Sequence, residues 1–202
     1  AANAGCRNFV DYQFRAYHRF DYTPDDCRVY YQTAMELVLP LWQKILARRA
    51  QQMNLSRLRP WDLAVDPLGR PPLKPFQTFE DLVQGTSRIF HLMHPHWAEQ
   101  FDDMAQKGLL DLDNRKGKAP GGYQNTLSEA RLPFVFMNAV GLDDDVRTLL
   151  HEAGHAFHSL ACRDQGLLSY RHAPMEFSEV ASMSMELLGG DHLRVFYSEE
   201  DA

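Results

Sequence analysis

The chain has 202 residues, 45% of them apolar and 24% charged, with a net charge of −6. That composition excludes intrinsic disorder, and the length suits one continuous domain with a real core. A mildly acidic chain without a basic block argues against nucleic acid or membrane as partner, and no apolar run approaches the ~18 residues of a membrane-spanning helix. Cys6, Cys27 and Cys162 are far apart with no paired spacing, which reads as free thiols in a reducing compartment. The N-terminus has no basic stretch followed by an apolar run, so the sequence predicts a cytoplasmic protein.

Aromatic and apolar residues recur at helical spacing over residues 6–20. Thr23-Pro24-Asp25-Asp26 predicts a helix start, with Thr23 as cap and Pro24 in the first turn. The helix that follows, over residues 27–53, carries Val29, Ala34, Leu37, Val38, Leu41 and Ile45 on one face, and Pro40 is expected to kink or break it. Prolines at 60, 67, 71, 72 and 75 predict an ordered loop. Thr78 opens a helix to about Met93, and His94-Pro95 opens another that Gly108 ends. Strands are predicted over residues 123–127 and 133–138. Asp143-Asp144-Asp145 opens a helix running past His158, and Pro174 opens the last one, ended by Gly189-Gly190. The expected fold is mainly α with a small β-sheet: a helical part over 1–108, continuous with a core over 109–202. Trp42, Trp61 and Trp97 are expected in the core, and Arg115-Lys116-Gly117-Lys118 as a solvated loop. His91, His94 and His96, interrupted by Pro95, read as helix caps and surface groups.

The chemistry concentrates in the last two helices. His151-Glu152-Ala153-Gly154-His155 has the H-E-x-x-H pattern. Residues four apart share one face of a helix, so both imidazoles can reach one metal ion, with Glu152 beside them to take a proton from water. Zinc also needs a third protein ligand and an open position. Glu179 supplies it if the two helices cross; Glu176, one turn earlier, meets the spacing equally. His158 lies two turns beyond His151, ~10 Å along the axis, and is expected as a packed or supporting group. The metzincin pattern requires Gly at 158 and His at 161, where this chain has His158 and Ala161. Glu186 is expected to orient a ligand imidazole. Gly154 signals close approach of a backbone or of substrate. The expected neighbour is the strand with Phe134, Val135, Phe136 and Asn138, read as an edge that takes the substrate peptide as an added strand.

The run from His151 to His158, with Glu179-Val180-Ala181-Ser182 and Glu186, resembles the oligoendopeptidase F and thimet oligopeptidase family of zinc metallopeptidases. Lys116-Gly117-Lys118, Gly121-Gly122-Tyr123 and residues 133–138 share the resemblance. It is weaker at Asn8-Phe9-Val10-Asp11-Tyr12 and Pro60-Trp61-Asp62-Leu63. The resemblance implies a zincin-like catalytic core, largely helical, around a deep channel. It also implies cleavage of short oligopeptides, one zinc per chain on His151, His155 and Glu179, and Glu152 as the catalytic base. A dipeptidyl carboxypeptidase of the angiotensin-converting type shares the same motif. A non-catalytic zinc- or peptide-binding fragment is a third reading, disfavoured because Glu152 is not needed to hold metal. Family members are longer at both ends, and their oxyanion-stabilising residues lie beyond the equivalent of Glu186. The expectation is therefore an incomplete core that hydrolyses peptides poorly alone, with Tyr123, Tyr170 and His172 as the nearest candidates for that role. Self-association or a complementing segment is expected to cover apolar patches at Val38, Leu41 and Phe196.

Overall fold

Local capping chemistry starts the first helices. Asn8 Oδ1 accepts the Asp11 N–H at 2.9 Å at the head of α1 (Phe9–Ala16). At the head of α2 (Pro24–Thr33), Thr23 Oγ1 accepts the Asp26 N–H while Asp26 Oδ2 accepts the Thr23 N–H at 2.8 Å. Pro40 does not end the helical run. The chain passes from α2 through a π-helical turn, Ala34–Val38, into α3 (Leu39–Gln52). Pro40 has no N–H to offer the carbonyl of Glu36, and its ring crowds that carbonyl; a widened turn just before it relieves both problems.

The computed structural model describes residues 1–199 and 201, in two compact units, Ala1–Pro72 and Leu73–Ala202. Among the described residues of the first unit, Cys6 alone is buried. The predicted apolar stripe forms on the helices but stays uncovered: Val29, Leu37, Val38, Leu41 and Ile45 are all more than half exposed. Trp42 and Trp61 are exposed as well, against expectation. A helical period dictates which residues share a face, not whether another element covers it. Trp97, in the second unit, does pack, stacking on Phe157.

The second unit holds the core. Thr78 and Asp81 cap α4 (Phe79–Met93) reciprocally, and His94 Nδ1 accepts the His96 N–H at the head of α5 (Pro95–Gln106). Gly108, at φ +69°, turns the chain out of that helix. Three strands follow: β1 (Leu110–Asp111), β2 (Gly122–Leu127) and β3 (Leu132–Met137), in the order β1-β3-β2. β3 pairs parallel with β1, Leu110 opposite Val135, and antiparallel with β2, Gln124 opposite Val135. β1 escapes sequence reading because two residues cannot display alternation.

Asp145 builds the start of α6 (Asp143–Cys162): its Oδ2 accepts the N–H groups of Val140, Gly141 and Leu142 at 2.8–2.9 Å. α7 (Met175–Gly190) packs against α6. Phe90, Phe101, Ile89, Leu149, Leu150 and Val135 form the centre of the core. Phe196 also differs from expectation. Its ring sits where a Cβ on Gly85 would be, so it covers α4 instead of forming an exposed patch.

The loop after β1 is not a solvated charge run at Lys118. That side chain is 1% exposed, its Nζ donates to Asp111 Oδ1 at 3.0 Å and to the Asp113 carbonyl at 2.7 Å, and it lies 4.7 Å from the Phe136 ring centre. Arg115 pairs with both Asp111 oxygens at 2.6 and 2.7 Å. The Arg115 guanidinium first, then the Lys118 ammonium, hold the Asp111 carboxyl down to about 2. Among the described residues no helix is long and apolar enough to cross a membrane.

Candidate metal centre

Two crossing helices supply the centre. His151 and His155 stand one turn apart on α6, their ring centres 4.8 Å apart and their planes near perpendicular. Glu179, in the first turns of α7, points between them: one carboxylate oxygen lies 3.4 Å from His151 Nε2, the other 3.8 Å from His155 Nε2. One ligand atom from each of the three residues lies within 4.8 Å of the other two. Among the described residues this is the one such cluster, and it contains Glu179 rather than Glu176.

Gly154 makes the crossing possible. A Cβ there would stand 2.6 Å from Ser182 Cα and 2.8 Å from the Ala181 carbonyl oxygen. The close neighbour is therefore a backbone, one of the two expectations at this glycine, but it is that of α7 and not of the strand. Ser182, with no exposed surface, donates from Oγ to Glu179 Oε2 at 3.1 Å. The sequence offered Ser182 only as part of the motif that begins at Glu179, with no role of its own; its position three residues after Glu179, on the same helix face, was the available signal. Glu186 accepts from His151 Nδ1 at 2.7 Å, which leaves the Nε2 atom of that ring facing Glu179.

Glu152 is 6% exposed. Burial raises its carboxyl above the ordinary range, helped by the nearby Glu179, while His151 and the Gln124 backbone N–H oppose the rise. Burial lowers the His155 imidazole, and His151 adds to the effect. A cleft of about 230 Å³ opens beside these groups, lined by Gln124, Asn125 and Thr126 of β2, by His155, His158 and Ser159 of α6, and by Arg171, His172, Ala173 and Ser178. His158 thus faces the cleft one turn beyond His155. Of the oxyanion candidates, His172 lines it, Tyr123 stacks on Phe136, and Tyr170 is mostly exposed.

Residues 133–138 do not form the expected edge. β3 is the middle strand, bonded on both sides, and cannot accept another. Val135 is fully buried, and Phe134 and Phe136 are half-buried on the opposite face of the sheet. Asn138, just beyond the strand, buries its Oδ1 with no hydrogen-bond partner. Both β2 and β3 pack on α6, and β2 is the one with a free edge: a Cβ on Gly122 would meet Thr148, and Thr126 Oγ1 donates to Ser159 Oγ at 3.1 Å.

The model of Peptidase family M3 matches residues 1–202. The chain belongs to that family. Among curated relatives, the M3 chain is 24% identical to the chromosomal oligoendopeptidase F of Lactococcus lactis over 148 residues, 73% of this chain and 24% of the relative. It is 26% identical to oligopeptidase PepF of Bacillus subtilis over 163 residues, 77% of this chain and 23% of the relative. Its fold superposes on a crystal structure assigned to oligoendopeptidase F from Bacillus anthracis with a TM-score of 0.92 at 30% identity, covering 100% of this chain and 37% of that one. PZ peptidase A, solved with an inhibitor, gives a TM-score of 0.91 at 29% identity over 99% and 35%. The M3 chain thus spans about a quarter of the length of these curated relatives.

Proposed function

We propose that this M3 chain carries the metal-binding and proton-transfer residues of a zinc-dependent, cytoplasmic endopeptidase acting on short oligopeptides. The observation that carries the reading is the convergence of His151, His155 and Glu179 beside the buried Glu152. Two imidazole nitrogens and one carboxylate oxygen are a donor set that catalytic zinc takes, leaving a position open. His151 and His155 through Nε2, and Glu179 through its carboxylate, would hold the ion. When bound, zinc supplies Lewis acidity toward water and the scissile carbonyl.

The protein groups supply the rest. Glu152, held proton-avid by burial, accepts a proton from the attacking water. The water oxygen bonds to the carbonyl carbon, the C–N bond breaks, and Glu152 passes the proton to the departing nitrogen. Glu186 and Ser182 keep the His151 ring and the Glu179 carboxylate oriented. β2 is an edge strand whose residues line the cleft, which supports docking of an extended peptide as an added strand. Oligopeptides are the proposed partners, with self-association or a complementing segment covering exposed side chains such as Val38 and Leu41.

Glu152→Gln preserves shape and removes the base. In the full protein it should keep about one zinc per chain and lose peptide hydrolysis by ~10³-fold or more. His155→Ala should lose the zinc itself. Hydrolysis within tenfold of wild type in Glu152→Gln, or full zinc in His155→Ala, would overturn the assignment.

A further inference from the structure

The register of the sheet decides which amides of β2 face outward. Val135 turns its backbone groups toward β1, where its N–H donates to Leu109 O at 2.9 Å. Successive residues of a strand present these groups to opposite sides. Phe134, Phe136 and Asn138 therefore turn theirs toward β2, and the Asn138 N–H donates to Gly121 O at 3.1 Å. Gln124 and Thr126 stand opposite Val135 and Pro133, so their N–H groups point away from β3. Among the described residues β2 pairs with β3 alone, which puts both amides on its free edge, in the wall of the cleft.

Neither amide is idle. The Gln124 N–H faces the Glu152 carboxylate. The Thr126 N–H donates to Asn125 Oδ1 at 2.9 Å. The Thr126 side chain is tied down, its Oγ1 accepting from Gln124 Nε2 at 3.2 Å and donating to Ser159 Oγ of α6 at 3.1 Å. Asn125 is exposed and lines the cleft, and an exposed side chain changes rotamer within nanoseconds. Asn125 is thus the movable partner of the pair.

We propose that the Asn125 side chain is a displaceable latch on the substrate edge: it holds the hydrogen bond that a peptide carbonyl makes to the Thr126 N–H when an extended substrate adds to β2, and so sets KM. The inference rests on the peptidase reading, with the substrate added as a strand. Thr126 lies two residues beyond Gln124, ~7 Å along the strand. The carbonyl that displaces Asn125 therefore belongs to a substrate residue about two positions from the one beside Glu152. Peptides too short to reach that point leave the latch closed. Those that reach it exchange one hydrogen bond for another, and their binding is weakened by what the latch was worth. An edge amide satisfied within its own strand also resists pairing with the edge of another chain.

The test uses the zinc-loaded full protein and quenched fluorescent peptides with one to four residues on each side of the cut. Asn125→Ala and Asn125→Val both remove the acceptor. Each should lower KM about three- to tenfold for the longer peptides, with kcat within about twofold of wild type and no change for the shortest peptides. Asn125→Asp keeps an acceptor at the same place and should keep the wild-type KM. An unchanged KM in both the Ala and Val variants overturns the inference. A higher KM means that Asn125 itself grips the peptide, and a fall at every length means a general loosening; either result overturns it too. Fluorescence anisotropy on Glu152→Gln protein, with and without Asn125→Ala, separates the two readings. Peptides that are never cleaved by wild type but bind with the length-dependent gain refute the peptidase reading and leave the latch standing. Binding without that gain refutes the latch.

Discussion

Gly154 and Ser182 meet at the point where α6 and α7 come closest. In an isolated helix, Gly154→Ala would gain roughly 1 kcal/mol from propensity. Here the new methyl would overlap the backbone at Ala181 and Ser182, and backbone cannot swing aside as a side chain can. The net effect should be a loss of ~1–3 kcal/mol in urea denaturation, with zinc affinity falling as well because Glu179 moves with α7. Ser182→Ala should behave differently. It deletes the donor to Glu179 Oε2 without crowding the helices, so zinc titration should show about tenfold weaker binding at unchanged helical content. The two histidines were legible because their spacing is local to one helix. The choice between Glu179 and Glu176 was not, since both spacings are compatible with a crossing. What selects Glu179 is where Gly154 lets α7 touch α6, a contact between segments far apart in the chain.

At the scale of elements, the helix starts were legible and the coverings were not. Thr23 and Thr78 announce their helices because a cap acts over three residues, within a single turn of chain. Asp145 does comparable work for α6, holding three N–H groups of the incoming loop. Asp145→Ala should cost about 2 kcal/mol of stability by thermal or urea unfolding. Lys118 was misread because its burial depends on Asp111 and Phe136, which local charge density does not reveal. Its partner gives a pH signature. The folded Asp111 carboxyl sits at about 2, below the ~3.9 of an unfolded chain. A depressed carboxyl stabilises the fold fully above the unfolded value and loses that contribution as pH falls toward the folded one. The urea midpoint of the wild type should therefore drop between about pH 4 and pH 2 by more than that of Asp111→Asn, whose midpoint at pH 7 should already be lower. Parallel slopes for the two proteins over that window would remove Asp111 from the account.

For the whole molecule, burial is uneven. Among the described residues, Cys6 is the one buried position of Ala1–Pro72, while the unit that begins at Leu73 contains the rest. Hydrogen exchange read by mass spectrometry should therefore find slow amides in α4, α6 and β3, with amides of α1 to α3 exchanging much faster. The crossing of α6 and α7 carries a further consequence, one of chain topology. The proposed metal ligands His155 and Glu179 are 24 positions apart, joined through the turn Leu168–Arg171. An ion held by both would close that stretch into a loop, as a disulfide does. In the chain-entropy picture, such a closure favours the folded state by about 3 kcal/mol if it persists in the unfolded chain. A metal that leaves on unfolding acts instead through mass action, so the melting temperature should climb with free zinc. The concentration dependence of that climb would distinguish a removable clasp between two helices from a permanent tie.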